Sequence, residues 1–213
     1  MLFRSYSPRV GALMAFECGR ARAYYLRGRD VVNIVTQEDT DKWVDEGWST
    51  AGDPDEMRLS FPNPEPTLKA LLDVVTECSK WGLFTRPLTD KWGRGRIQLI
   101  GDAAHAMLPN AGQGACQAFE DAYTLARWLD AERRDPVAAL ANFRRIRIPR
   151  VHGVQRRSFA NARIKHMQDR AAQKAILDSE RMKSGGGEAS MDWIIGYDPI
   201  EGWDKPPVVP EIT

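Results

Sequence analysis

The spacing of apolar and polar positions changes along the chain, and each change marks an element. Residues 13–16 and 21–26 read as short strands, and residues 31–35 as a third, rich in β-branched side chains. Gly28-Arg29-Asp30 separates the last two as a turn, where glycine supplies the positive φ of a tight hairpin. Asp53-Pro54 has the form of an N-cap followed by a first helical residue, which predicts a short helix to about Leu59. Pro62, Pro64 and Pro66 exclude regular structure before a helix at 67–76, and residues 81–86 read as another strand.

The middle of the chain carries a sharper pattern. Residues 96–100 form an apolar run of the buried-strand type and end in Gly101-Asp102. A loop at 103–110 is stopped by Pro109, and a helix is expected from about Gly112 to Leu129. Ala111, Ala115, Ala118, Ala122, Leu125 and Leu129 make one stripe along it, mostly alanine, so its packing partner should come close. Asp135-Pro136 begins another helix, which Pro149 should kink or interrupt before it resumes toward Lys165. A further helix is expected at 173–183, then a Ser-Gly linker at 184–187. The tail, with Trp193, Tyr197 and Trp203, is expected to lie against the body in extended form.

Composition narrows the class without naming a function. The 213 residues are 43% hydrophobic and 28% charged, with a net charge of +1, which fits a folded globular chain and advertises no nucleic-acid or membrane partner. No apolar run approaches the roughly 20 residues of a membrane-spanning helix, and the opening residues, broken by Arg4 and Arg9, do not read as a signal peptide. Cys18, Cys78 and Cys116 have neither metal-site nor disulfide spacing, so reduced thiols and a cytoplasmic setting are expected. Charge is uneven: eight acids lie in 37–56 and nine bases in 144–170. Both runs read first as solvated faces; the basic one can instead oppose an anionic cofactor or the acidic segment.

The arrangement of strand, Gly-Asp, proline loop and glycine-opened helix carries the candidate chemistry. A carboxylate at the carboxyl end of a parallel strand sits where open α/β sheets bind ligands, and Asp102 there can accept hydrogen bonds from sugar or ribityl hydroxyls. Taken alone, Asp102 reads first as a loop-capping aspartate. The helix after Gly112-Gln113-Gly114 offers unpaired N–H groups that favour negative charge on an approaching atom. His105 is open to two readings, a catalytic group beside the loop or a buried residue that orients it. Tyr24, Tyr25 and Trp81 read either as core or as the lining of an aromatic pocket on the inner face of the sheet, with core favoured for at least two. His152 and His166 read as surface residues.

The run from Arg96 through Gly101-Asp102-Ala103-Ala104-His105, Pro109 and Gly112-Gln113-Gly114 to Glu120-Asp121-Ala122 resembles the second FAD-binding segment of the single-component aromatic flavoprotein monooxygenases, the p-hydroxybenzoate hydroxylase family, and in particular its salicylate hydroxylase-like branch. The hairpin at 24–35, Trp81-Gly82-Leu83-Phe84 and residues 193–198 are similar to the same branch. The resemblance implies an α/β fold of the FAD/NAD(P)-binding kind, here incomplete, with part of a substrate-domain β-sheet and C-terminal helices. It implies FAD, with Asp102 at the ribityl chain, Pro109 against the flavin ring, and the backbones of Gly112, Gln113, Gly114 and Ala115 at its pyrimidine end. It further implies NAD(P)H as co-substrate and oxygen insertion into a phenolic or salicylate-like ring through a flavin C4a-hydroperoxide, with no metal and no assigned protein acid or base.

The departures matter as much. No strand followed by Gly-x-Gly-x-x-Gly is present to cradle a pyrophosphate, and Gln117 stands where a third glycine would follow Gly112 and Gly114. The chain therefore reads as the C-terminal portion of such an enzyme. The expected organisation is a substrate-domain sheet remnant at 1–90, the second half of the FAD-binding domain at 91–131, helices at 132–183, and a linker and tail at 184–213. A non-catalytic remnant acting as a binding protein is the alternative, and self-association or pairing with a missing N-terminal half is expected of either.

Overall fold

A computed structural model describes residues 2–6, 21–40, 50–83, 85–165, 167, 169–183 and 189–210. The strand expected at 13–16, Cys18, His166 and the linker at 184–187 lie outside these residues, as do positions 41–49 of the acidic run. The chain forms two compact units, Met1–Phe84 and Thr85–Thr213.

The first unit is an antiparallel sheet with two short helices. Its strands are β1 (Leu2–Tyr6), β2 (Ala21–Leu26), β3 (Val31–Thr40), β4 (Thr50–Gly52) and β5 (Cys78–Gly82), in the order β2-β3-β1-β5-β4. The β2–β3 hairpin turns through Arg27–Arg29, with Gly28 at φ 67° as the turn demands. Pairing of Ala23 with Ile34 fixes the register, and alternation then puts Ala21, Ala23, Val32 and Ile34 on one buried face. Met57 of α1 (Pro54–Leu59), Leu68 and Leu72 of α2 (Pro66–Asp73), Val75 and Cys78 complete that core. Asp53 caps α1 by accepting from the Asp55 N–H at 2.8 Å.

Two expectations shift here for local reasons. Pro66 does not precede the second helix but starts it, because the Glu65 side chain caps the Thr67 and Leu68 amides; α2 then ends at Asp73 rather than 76. The strand expected at 81–86 lies earlier, since Cys78 belongs to the core and its burial sets which residues pair. Burial, reinforced by the Asp53 carboxylate, raises the Cys78 thiol above its ordinary pKa, so it behaves as a small inert apolar residue. Of the three aromatics, Tyr25 packs on the core. Tyr24 instead lies on the opposite face of β2, 39% exposed, with its hydroxyl accepting from Asn33 at 2.5 Å. Trp81, out of phase with Cys78, is only half-buried.

The second unit is helical. After a small β-turn region come α3 (Asp102–His105), α4 (Gly114–Ala131), α5 (Pro136–Lys165), α6 (Arg170–Lys183) and α7 (Ala189–Ile195). Asp135 caps α5 through the Val137 and Ala138 amides. That helix runs through Pro149 without interruption: Pro149 and Arg145, whose carbonyl loses its intrahelical donor, are both exposed, so water can replace the missing bond. Asp169 caps the Ala172 amide and starts α6 before the expected residue 173. Trp92, Ala104, Phe143 and Val151 form the core, with Met107, Leu125, Trp128 and Ile148 packed on it.

The tail is not wholly extended; it opens as α7, because the guanidinium of Arg150 accepts the role of C-cap for the Trp193 and Ile194 carbonyls at 3.1 and 3.0 Å. Beyond it, Trp203 meets the ring of Trp128 edge-on, and Arg127 lies 4.9 Å from the Trp203 centroid. Gly153 lets this tail come close: a β-carbon there would collide with Val209 and lie 2.9 Å from the Trp193 ring. Gly153→Ala should therefore lower the stability of this unit by about 1–3 kcal/mol. Chemical denaturation checks it, and an unchanged midpoint would show that the tail simply moves aside.

Candidate functional site

The site is built around a turn and two helix termini. The strand expected at 96–100 is reduced to β7 (Ile97–Gln98), paired antiparallel with β6 (Gly93–Arg94). Its apolar residues are not buried: Ile97 is 71% exposed, Leu99 41% and Ile100 39%. Among the described residues no further strand flanks it, and no parallel pair occurs, so these side chains have no sheet to pack beneath. Gly101 then takes φ 58°, ψ −145°, a conformation nearly closed to other residues. A β-carbon there would also touch Ala118, 3.4 Å away, so the turn lies directly on the early turns of α4.

This contact brings the candidate residues together. Asp102 opens α3 with its side chain exposed, and Pro109, in the 3-10 turn Pro109–Ala111, is exposed as well. Gly112 adopts the left-handed conformation at φ 64°. α4 then begins with Gln113 as N-cap but no side-chain cap, leaving the N–H groups of its first turn without intrahelical partners. A β-carbon on Gly112 or Gly114 would meet nothing within 4 Å, so open space lies before both glycines, and Ala115 is exposed beside them. An exposed carboxylate at the start of α3 and amide donors without intrahelical partners at the start of α4 are thus both open to a ligand. That arrangement suits a ligand with hydroxyls at one end and an electron-rich planar edge at the other.

Beneath the site lies a buried charge network that sequence reasoning did not find. Asp121 is completely buried and receives three donors: the Gly101 N–H at 2.9 Å, His105 Nε2 at 2.6 Å and Arg147 Nε at 2.8 Å. Arg147 also reaches Glu120 at 2.5 Å and Gln117 Oε1 at 2.9 Å. Arg150 binds Glu120 through two parallel bonds of 2.6 and 2.8 Å and lies 3.8 Å from the centroid of Tyr197. The basic run is therefore not simply a solvated face. Arg147, Arg150 and Arg157 are buried, and the first two oppose neither a cofactor nor the acidic segment but two carboxylates of α4.

The network also decides the position of His105. Its ring is 1% exposed, held by Asp121 and tilted over Trp92 with centroids 5.0 Å apart, so the histidine orients the turn from below. His152, read as a surface residue, is only partly so, because Nε2 bonds the Thr89 carbonyl at 3.2 Å. Burial by itself would push the Asp121 carboxyl up; the His105 hydrogen bond, the Arg147 charge and the Gly101 N–H outweigh it and hold the carboxyl below its usual range. The sequence signal that was available is the i, i+3, i+4, i+7 spacing of Gln117, Glu120, Asp121 and Thr124, a polar stripe as regular as the alanine one.

Comparison with known proteins bears on this geometry directly. The family described as FAD binding domain matches residues 42–158, more than half of the chain and all of the site. The chain belongs to that family. As a member of the FAD-binding domain family it is 32% identical over 180 residues to a 3-amino-4-hydroxybenzoate 2-monooxygenase of Streptomyces platensis, covering 84% of this chain and 45% of that protein. It is 36% identical over 149 residues to a 6-hydroxynicotinate 3-monooxygenase of Pseudomonas fluorescens, covering 68% and 38%. A solved salicylate hydroxylase substrate complex superposes with a TM-score of 0.78 at 25% identity, covering 99% of this chain and 57% of that one. The α/β fold of the FAD-dependent monooxygenases is thus shared, and the chain spans about half the length of the relatives it matches. No described helix is long and apolar enough to cross a membrane.

The residues present fit part of FAD. Open space before Gly112 and Gly114, unpaired amides at the α4 terminus and an exposed Asp102 are donor and acceptor types that a flavin ring and a ribityl chain require. Since Asp121 holds the turn that presents Asp102, Asp121→Ala should cost about 3–5 kcal/mol, the penalty of leaving a buried guanidinium short of a partner. Asp121 also gives stability a pH dependence. Its folded pKa is depressed, so its contribution is complete above the ordinary carboxylate value of about 3.9 and is lost as pH falls through the folded value. Denaturant unfolding from pH 7 to pH 2 should show the wild-type advantage over Asp121→Asn shrinking across that acid range; a constant difference would show that Asp121 stays ionised throughout.

Proposed function

We propose that this chain is the flavin-ring half of an FAD-dependent aromatic monooxygenase, acting on a phenolic or salicylate-like acid with NAD(P)H and O2. One observation carries the reading: free amide donors of α4 border open space at Gly112 and Gly114, within the stretch that matches the FAD-binding family. FAD, when bound, supplies the two-electron and oxygen chemistry. The residues of the chain do the rest. Asp102 accepts hydrogen bonds from ribityl hydroxyls. The amides of Gly114 and Ala115 favour negative charge on the ring edge set against them. Pro109, which has no N–H to donate, gives the ring an apolar neighbour. His105 supports the turn and touches no substrate.

The substrate class is supported by the first unit and by the relatives. The two matched relatives are monooxygenases of small aromatic acids, 3-amino-4-hydroxybenzoate and 6-hydroxynicotinate. The sheet face away from α1 and α2 carries Tyr24 and Trp81, aromatic surface suited to such a ring. In this reading residues 1–90 belong to the substrate domain and 91–131 to the FAD domain, with the helices and tail as its support. The free Cys78 and Cys116 agree with a reducing, cytoplasmic setting.

Titration of the purified chain with FAD and with riboflavin tests the proposal. Both should bind, and with affinities within about threefold, because no glycine-rich turn for a pyrophosphate occurs in these 213 residues. Asp102→Ala should weaken either one about ten- to a hundredfold, the worth of a charge-assisted hydrogen bond. NAD(P)H consumption by the isolated chain should be undetectable. Failure of the wild type to take up any flavin would overturn the reading in favour of a remnant that binds something else. Tight binding of FAD with none of riboflavin would show that the adenylate half has a site of its own.

A further inference from the structure

The backbone of the loop at 106–110 makes few bonds to itself, and a row of α5 side chains takes them over. Gln155 Nε2 donates to the Ala106 carbonyl at 3.3 Å, Ser158 Oγ to Leu108 at 2.5 Å and Asn161 Nδ2 to Asn110 at 3.1 Å. Gln155 and Ser158 are buried, and Asn161 is half-buried. The donors recur every third residue on the helix, whereas the acceptors are alternate carbonyls of a segment that is extended at Ala106 (ψ 130°) and Leu108 (ψ 147°). Alternate carbonyls facing one way are what a strand presents to its neighbour. Here α5 side chains supply a donor to all three, and the Arg86 N–H and Thr85 Oγ1 also reach the Ala106 carbonyl, at 3.5 and 3.4 Å.

The segment is extended at Ala106 and Leu108 and then bends into the 3-10 turn Pro109–Ala111, where the Asn110 carbonyl sits. Gln155, Ser158 and Asn161, spread over about 9 Å of helix rise, hold it on both sides of that bend.

We propose that Gln155, Ser158 and Asn161 are positioning residues that set the loop carrying Pro109 against the flavin ring. The inference rests on the flavin reading above and adds to it the device that holds the ring's neighbour in place. None of the three touches the ligand; they act through the Ala106, Leu108 and Asn110 carbonyls. Removing the Ser158 hydroxyl leaves the Leu108 carbonyl buried without a donor, and the loop must shift to find one. A ring lying against that loop then meets a different surface, which its visible absorption band reports.

The test uses the full chain with riboflavin as probe, reading affinity, the absorption band of the bound flavin and the unfolding midpoint. Ser158→Ala and the near-isosteric Asn161→Asp, which cannot donate, should each bind about five- to tenfold more weakly with a shifted band. Asn161→Gln, which keeps a donor, should restore both readouts. Gly153→Ala, destabilising the same unit at the tail, serves as the control and should leave band and affinity unchanged. Wild-type affinity and band in Ser158→Ala and Asn161→Asp would overturn the proposal while leaving the flavin reading intact, and so would an equal loss in Gly153→Ala. If Ser158→Ala does not fold, the Asn161 pair decides alone. A wild type that binds no riboflavin overturns the flavin reading itself, and the positioning role falls with it.

Discussion

Two guanidiniums and two carboxylates, shut away from water between α4 and α5, are the constraint on which the helical unit depends. Ions withdrawn from water cost several kcal/mol each unless their donors and acceptors are met. Here each guanidinium nitrogen of Arg147 and Arg150 has an acceptor, in Gln117, Glu120, Asp121 or the tail carbonyls. Such bonding tolerates little sliding, so it fixes one helix against the other in a way that apolar packing would not. A purely apolar interface would hold the helices together but would offer no acceptor to the Gly101 amide. The turn that presents Asp102 is therefore a product of the same charges that join the helices.

The parts of this structure that were legible in the sequence are those governed by local chemistry. Asp53 and Asp135 cap helices as their position before proline indicates, and Gly28 turns the hairpin. Gly101 and Gly112 belong with these, since each takes a positive φ that glycine supplies easily. What escaped was pairing between distant elements. A run of arginines has the same appearance whether water or a carboxylate answers it, and Arg147 meets Asp121 across 26 positions. Gln117, noticed only as a missing glycine, is in fact wholly buried and bonded to both Glu120 and Arg147.

α4 shows the same limit in another form. Its alanine stripe suggests a close-packed inner face, yet Ala115 and Ala122 are exposed, Phe119 is 75% exposed, and the buried side carries Gln117, Glu120, Asp121 and Thr124. Hydrophobic periodicity locates two faces of a helix but assigns the inner one by polarity alone. Here polarity misleads because the polar face is complemented by arginines of α5. The unit thus has a buried charged seam beside its apolar core, while Ile97, Leu99, Ile100 and Phe119 stay exposed.

Arg150 joins features that lie far apart in the chain. Its guanidinium serves Glu120 in α4 and the last carbonyls of α7, so the tail is held by a side chain that a carboxylate already fixes. Were the tail to leave, Arg150 would keep both bonds to Glu120, and water would replace the two carbonyls. A protease that trims the chain beyond α5 would therefore leave the start of α4 in place.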